Sequence, residues 1–491
     1  VDLFLEWKDV VVAMTTGLYA LALYNCYRIL GRRLSPGAAM AWILFNLMLP
    51  VVGVPLYFLV GEFRIKGYER RHKRATRELA GFEQVQQLPP APDALACPEA
   101  VREHYELFNR TFSRFGPTFR PQHGHAELLV DGKKTFAAIF EAITKAEHYI
   151  LVQYYILRSD RLGLELKRLL IEKAKAGVPV YLLYDDMGSF WLKREYIKDL
   201  RAAGVVVEQF LAIANFKRFF QMNFRNHRKL VLVDGKIAFT GGLNVGEEYA
   251  TSRLKRYRKK HQLYWRDTHL QVEGTTVEQM EDVFLEDWYF ATGQRLDEQL
   301  NKPLTSHPGP AILQQIPTGP TDESLISVMF LLQMITMAKK RLWIATPYFI
   351  PDVTIQRALE LAAARGVDVR LLIPRKSDYQ LVQWVTMSYA EQAHQKGIQV
   401  LLYSAGFMHQ KVILVDDGVA AVGTMNLDNR AVYYNFETMV VVHDLDFAAK
   451  VEAMLQDDFL KCGYPKIPKQ PWLRSLMRLR SNAARLLAPM L

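Results

Sequence analysis

Two stretches of this chain place the same four polar residue types at the same offsets. The first is His227-Arg228-Lys229, an apolar run, Asp234, and then Gly241-Gly242-Leu243-Asn244. The second is His409-Gln410-Lys411, an apolar run, Asp416, and then Gly423-Thr424-Met425-Asn426. A histidine and a lysine two residues apart on a strand project from one face. The apolar run carries that strand into a core and ends at the aspartate, and the next strand returns the asparagine beside the pair. Each stretch thus offers an imidazole, an ammonium and an amide on one surface. Two such surfaces facing across a cleft suit in-line displacement at a phosphodiester: one imidazole attacks phosphorus and the other protonates the departing oxygen. Lys229, Lys411 and the phosphate-binding Asn244 and Asn426 would stabilise charge on the non-bridging oxygens, the task a metal performs elsewhere. One such motif is a weak signal, whereas two with matched asparagines are a strong one.

The candidate catalytic set is therefore His227, Lys229, Asp234, His409, Lys411 and Asp416. Within it the two aspartates are expected to bond turn backbone or a nearby basic residue rather than to do chemistry. No metal or cofactor is expected. Cys26, Cys97 and Cys462 are far apart and form no CxxC or Cys/His spacing, so they read as unpaired thiols in a reducing compartment.

The elements that position these residues also occur twice. Tyr149 to Ile156 forms a strand, a helix ends at Gly177, and Val178 to Leu183 forms the next strand. Arg341 to Ile350, a helix ending at Gly366, and Val367 to Leu372 repeat that order. Gly204 before Val205 is matched by Gly397 before Ile398. Each glycine stands where a helix C-cap precedes a strand. Repeated in order, these units indicate a duplicated α/β layer fold.

The paired motifs resemble the HKD motifs of the phospholipase D superfamily. Together with the apolar N-terminus, Thr346-Pro-Tyr-Phe-Ile-Pro351 and Gly423-Thr-Met-Asn-Leu-Asp-Asn-Arg430, the chain is similar to the bacterial cardiolipin synthases of that superfamily over nearly its whole length. The resemblance implies a phospholipase D-type fold of two mixed β-sheet halves flanked by helices and related by a pseudo-twofold. It also implies a phosphohistidine intermediate formed without metal, with His227 as nucleophile and His409 as acid/base. The sequence is symmetric on that point, and the reverse assignment stays open. Each histidine should have a carboxylate fixing its tautomer. The family pattern supplies Glu437, in Asn435-Phe-Glu-Thr438, and strand-to-strand alignment gives Asp267, in Trp265-Arg-Asp-Thr268.

Five segments follow: two transmembrane helices over 1–61, a basic helical stalk and proline-rich linker over 62–125, the two halves over 126–300 and 301–462, and an amphipathic basic tail over 463–491. Val10 to Tyr27 and Leu34 to Gly61 are uncharged and near or above the ~18–20 residues a spanning helix needs. The acidic residues Asp2, Glu6 and Asp9 do not suit a signal peptide. Pro50, Gly53 and Pro55 predict a kink in the second span. Basic residues from Arg64 to Arg77 place the catalytic bulk in the cytoplasm of a multi-pass inner-membrane protein, against which stand Arg28, Arg32 and Arg33 between the spans.

A formal charge of +11 points to anionic partners. Asn215 to Arg225, the 253–260 insertion and the tail, with Trp472, Leu476 and Leu479 on one side and Arg474, Arg478 and Arg485 opposite, could meet an anionic membrane surface. The chemistry expected by resemblance is phosphatidyl transfer between two phosphatidylglycerol molecules, giving cardiolipin and glycerol. A phospholipase using water or another alcohol is the alternative. A nuclease would use the same residues but has no need of a bilayer, so no nucleic acid partner is expected, and intact motifs in both halves oppose a non-catalytic scaffold. The oligomeric state, a homodimer included, stays open.

Overall fold

The computed structural model describes residues 2–31, 36–57, 91–210, 224–250, 264–296, 300, 309–320, 322, 325–463, 479–481, 483–485 and 488. The Asn215 to Arg225 stretch up to residue 223, the 253–260 insertion, residues 62–90 and most of the tail lie outside these. The described residues belong to two units: an N-terminal helical unit and a catalytic unit comprising 70–212 and 224–491.

In the N-terminal unit α1 spans Asp2–Leu30, α2 Pro36–Met48 and α3 Pro50–Leu56. Trp7–Leu30 is the one described helix long and apolar enough to cross a membrane. The expected second span is divided at Leu49, whose φ of −134° leaves the helical region ahead of Pro50, a residue with no N–H to continue the ladder. Inside this unit Asn25 Nδ2 donates to Asn46 Oδ1 at 3.2 Å, joining α1 to α2.

In the larger unit sixteen strands among the described residues form one sheet. The first half contributes β1 (Gln122–Val130), β2 (Ile150–Tyr154), β3 (Val180–Asp185), β4 (Val206–Phe210), β5 (Arg225–Asn226), β6 (Leu230–Val233), β7 (Ile237–Gly241), β8 (Tyr264–Arg266) and β9 (Thr268–Gly274). The second contributes β10 (Ala311–Thr318), β11 (Arg341–Ala345), β12 (Phe349–Ile350), β13 (Asp368–Pro374), β14 (Gln399–Tyr403), β15 (Gly406–Met408), β16 (Val412–Val415), β17 (Val419–Gly423), β18 (Leu427–Asp428), β19 (Asn435–His443) and β20 (Cys462–Gly463). From the central β1–β10 pair the sheet runs β9, β7, β6, β2, β3, β4 one way and β19, β17, β16, β11, β13, β14 the other. Matching strands hold matching places, which is the duplication read from the sequence. The two sheets expected of separate halves are joined because β1 and β10 pair antiparallel, which covers an exposed edge on each.

Alternating burial on the helices explains how they cover this sheet. The helix α4 (Glu99–Phe112) carries Val101, Tyr105, Phe108 and Phe112 on one face, all buried. Val101, Phe108 and Phe112 enter the second half's core beside Phe330, Leu342 and Val441. This part of the expected stalk and linker therefore belongs to the catalytic body. The described tail residues Ala484 and Ala488 pack against Ile350 and Val385, while Leu479 stays exposed. These described residues rest on the chain's own domain through small side chains, and Arg480 and Arg485 lie over the rings of Trp384 and Tyr389.

Asp234 and Asp416, grouped with the catalytic residues by motif, sit at the far ends of β6 and β16. Each lies five residues beyond its lysine, roughly 16 Å along a strand. Asp234 accepts backbone N–H bonds from Glu147, His148 and Tyr149 at 2.7–2.9 Å. Asp416 accepts them from Lys339, Lys340 and Arg341, and His104 Nε2 lies 3.0 Å away. Both adopt a positive φ, of 56° and 48°. Their work is to lock the turn ahead of β2 and β11. Burial raises the Asp416 carboxyl, but His104 and the three amides more than offset this and hold it at about 2.

Replacing either aspartate by alanine strands three backbone donors, with an expected loss of about 2–4 kcal/mol in urea unfolding. The Asp416 contribution is present above pH ~4 and is lost as pH falls toward about 2, because the unfolded carboxylate takes up its proton first. The acid limb of the unfolding curve should therefore flatten in Asp416→Asn.

Candidate active site

Each histidine is delivered by a short strand laid against the opposite half. β5 pairs in parallel with β19 at Asn435 and Phe436, and the His227 amide donates to Phe436 O at 2.9 Å. β15 pairs in parallel with β8, and the His409 amide donates to Arg266 O at 2.8 Å. One residue beyond each pairing stands a carboxylate. His227 Nδ1 consequently lies 2.9 Å from Glu437 Oε2, and His409 Nδ1 lies 2.8 Å from Asp267 Oδ2. Glu437 and Asp267 are fully buried. The sequence supplied one carboxylate per half but did not disclose the crossing, since no local spacing records which half a strand pairs with.

The lysines bend back on their own motifs. Lys229 Nζ donates to His227 O at 2.6 Å, and Lys411 Nζ lies 2.9 Å from His409 Nδ1 and 3.2 Å from Nε2. Asn244 Oδ1 accepts from the Ile156 amide at 3.1 Å. The Asn426 side chain bonds Asp428, and its Oδ1 is buried without a partner among the described residues. The Tyr155 ring stands edge-on to His227 at 5.0 Å, and Tyr348 repeats this toward His409 at 6.4 Å. Among the described residues no group of three or more His, Cys, Asp or Glu could hold a metal ion.

Two buried ion pairs brace the site and were not foreseen. Arg228 bonds Asp287 at 2.8 Å, and its other guanidinium N–H groups donate to Glu437 O and Thr318 O of the second half. Arg266 bonds Asp458 at 2.9 Å from the first half to the second, and Gln410 Nε2 donates to the same carboxylate. The sequence does hold a signal: Asp287 follows Asp267, and Asp458 follows Glu437, at nearly equal distances in the repeat.

Burial dominates the electrostatics. It pulls the His227 imidazole down to about 4, with Glu437 opposing and the Lys229 and Lys411 ammoniums assisting. His409 is likewise lowered, by burial and then by Lys411. Lys229 falls to about 7 and Lys411 to about 8, again chiefly by burial. For Glu437 and Asp267 burial pushes upward, but the facing histidine and lysines hold both below the ordinary carboxylate range. The consistent state is an ionised carboxylate accepting Nδ1–H from a neutral imidazole. That tautomer leaves the Nε2 lone pair for chemistry.

Histidine ¹⁵N spectra of the detergent-solubilised protein at pH 7.5 should therefore show both rings neutral and protonated at Nδ1. Doubly protonated rings at that pH would overturn this assignment. Glu437→Gln should change the His227 signals and leave those of His409 nearly unmoved.

The chain matches the family described as cardiolipin synthase, PLD-like domain, over residues 139–288 and 331–459, and the phospholipase D-nuclease N-terminal family over 17–62. It is 39% identical to cardiolipin synthase A of Pseudomonas aeruginosa (strain PAO1) over 454 residues, covering 92% of this chain and 90% of that protein. It is 36% identical to a cardiolipin synthase of Geobacillus kaustophilus, covering 93% and 89%. Among solved structures, phosphatidylserine synthase of Haemophilus influenzae matches with a TM-score of 0.57 at 15% identity, over 80% of this chain and all of that one, a likeness of fold. Two duplicated motifs on one mirrored sheet, together with these relatives, establish that the chain belongs to the cardiolipin synthase family of phospholipase D-like proteins.

Proposed function

We infer that the chain is a cardiolipin synthase, a phosphatidyltransferase acting on phospholipids, and that it works through His227 and His409. The observation that carries the mechanism is the pair of imidazoles, each held at Nδ1 by a buried carboxylate of the opposite half. His227 Nε2 attacks the phosphorus of one phosphatidylglycerol, the phosphorus–oxygen bond to glycerol breaks, and His409 gives the leaving oxygen its proton. A hydroxyl of a second phosphatidylglycerol then attacks the phosphohistidine while His409 takes up that proton, giving cardiolipin and restoring His227. One phosphodiester replaces another, so no nucleotide need drive the exchange. His409 must carry a proton at the start. The anionic phosphodiester, arriving in a cleft whose burial disfavours the imidazolium, supplies the charge that draws one on. Lys229, Lys411, Asn244 and Asn426 are assigned to the non-bridging oxygens.

Membrane attachment follows from the same reading. α1 exposes Val10, Val11, Val12, Met14 and Leu23, a surface suited to lipid. We assign α2 and α3 together as a second, kinked pass: Pro36 to Leu56 would rise roughly 31 Å as helix, about the thickness of the hydrocarbon core. The Asn25–Asn46 bond would then join two passes where water is scarce. The basic run Arg64 to Arg77 supports a cytoplasmic catalytic unit on the inner membrane.

With labelled phosphatidylglycerol in mixed micelles the purified enzyme should release glycerol and form cardiolipin. Phosphatidic acid as sole product would overturn the synthase reading in favour of a phospholipase. His227→Ala and His409→Ala should each lower kcat by roughly 10⁴-fold or more, and acid-labile label should remain on protein only where residue 227 is histidine. A label retained in His227→Ala and lost in His409→Ala would reverse the two roles.

The alkaline limb of kcat/KM should fall between about pH 7 and 8, as Lys229 and Lys411 lose the charges that attract the phosphodiester. A bound phosphate anion favours the ammonium forms, so the corresponding limb of kcat should lie higher. Coincident limbs would remove the lysines from phosphate binding.

A further inference from the structure

The loop after β3 ends in two large exposed aromatics, Phe190 at 67% and Trp191 at 77%. Such exposure is costly in water and needs a reason. The loop is not loosely held beneath its tip. The Ser189 hydroxyl donates to Tyr155 O and accepts from the Leu157 amide, each at 3.0 Å. Gly188 lies directly on Tyr155, and a Cβ there would stand 2.7 Å from the ring. Asp185, at the loop's root, accepts from the Met187, Gly188 and Asn226 amides, and Asn226 precedes His227. Tyr155 in turn stands edge-on to His227. A fixed backbone therefore connects the exposed tip, within two residues, to the tyrosine ring beside His227.

The second half repeats the arrangement with different residues. Tyr348 is the repeat mate of Tyr155, and its hydroxyl donates to both oxygens of Asp378 at 2.9 Å. Asp378 lies in the loop after β13, the mate of β3, and the next residue, Tyr379, is 66% exposed. Each half thus ties its cleft tyrosine to a loop that ends in an uncovered aromatic. Lys193 and Arg194 follow the first tip, and Lys376 precedes the second, all exposed. Glu195, beside them, lies in the first turn of a helix, where the N-terminal dipole favours its charge. Rings with an apolar body beside long cationic side chains suit the boundary between acyl chains and anionic headgroups.

We propose that Phe190, Trp191 and Tyr379 form a two-point rim that seats the mouth of the cleft on an anionic phospholipid bilayer, so that a diacyl phosphodiester enters without crossing water. The proposal rests on the phosphatidyltransferase reading above and adds the surface through which lipid arrives. The bilayer is preferred to a protein partner because the exposed rings recur in both halves, on loops tied to the tyrosines beside His227 and His409, and join rings to cations rather than forming a continuous apolar patch.

The test uses the full-length enzyme with phosphatidylglycerol in two forms: nanodiscs, and a dihexanoyl analogue kept below its micelle concentration. Phe190→Ala/Trp191→Ala and Tyr379→Ala should lower kcat/KM on nanodiscs by about tenfold or more and stay within about twofold of wild type on the monomeric analogue. Trp191→Phe should restore most of the nanodisc activity. Brominated lipid should quench wild-type tryptophan emission, and Trp191→Phe should abolish part of that quenching. Equal losses on both substrates, unchanged activity on nanodiscs, or quenching indifferent to Trp191 would each overturn the rim. If the wild type formed no cardiolipin from either form of phosphatidylglycerol while Trp191 was still quenched, the reaction assignment would fall and the docking surface would stand.

Discussion

The catalytic unit depends on one constraint: each histidine is oriented by a carboxylate that its own half does not supply. Glu437 holds His227 and Asp267 holds His409 because β5 and β15 cross to the partner half before their motifs begin. Neither half alone can fix the tautomer of its own histidine. The halves must then stay in register to within the tolerance of a hydrogen bond. The antiparallel β1–β10 pair sets that register coarsely, and the buried arginines set it finely. Arg228 ties Asp287 to the carbonyl of Glu437 itself, and Arg266, one residue before Asp267, reaches Asp458. Removing one partner of such a buried pair leaves a charge without solvent, typically a cost of about 3–5 kcal/mol. Here that strength is spent on geometry between halves.

The same burial that fixes the geometry tunes the charge. Two carboxylates, two lysines and two imidazoles share a site with little water, and every ionised group pays a desolvation cost there. The histidines escape it by staying neutral, while the lysines keep their protons only up to about pH 7–8. In the proposed reaction a phosphodiester with one negative charge would stabilise both ammoniums and permit one imidazolium, completing the electrostatics of the site. Dipoles and cations already in place cost no reorganisation when charge moves on to the non-bridging oxygens.

Much of this was legible in the chain. The paired histidine, lysine and asparagine motifs were visible as matched offsets, but the strand period did not place them: His227 to Lys229 and His409 to Lys411 lie between strands, after β5 and β15 and before β6 and β16. The duplication followed from glycine-ended helices ahead of apolar strands. Glu437 came from the family resemblance, and Asp267 from aligning the repeat strand to strand against it. What could not be read was long-range: which half each carboxylate serves, the fusion of two sheets into one, and the burial of α4 in the second core. These are set by pairings hundreds of residues apart, such as His104 with Asp416, and leave no periodicity behind. The kink expected from Pro50, Gly53 and Pro55 falls at Leu49, just ahead of the proline whose missing N–H ends the ladder.

The repeat has also diverged where it touches the reacting groups. In the second half the Thr424 hydroxyl donates to Glu437 at 2.6 Å, and Asn435 donates to its other oxygen. In the first half the matching position is Gly242, where any Cβ would collide with the Asp267 carboxylate. Asp267 is instead held by the Trp265 indole and the Thr268 amide. The shorter acid with glycine and the longer acid with threonine are two solutions to the same distance, and exchanging one member alone would break either. The surroundings differ as well, because His409 is walled by Trp265, Phe407 and Tyr348 while His227 meets Tyr155. In the proposed reaction one imidazole carries phosphorus and the other only a proton, which makes unequal demands on the two rings. A duplicated protein can meet those demands without losing its symmetry of fold, by varying the groups around each ring and keeping the strands that deliver them.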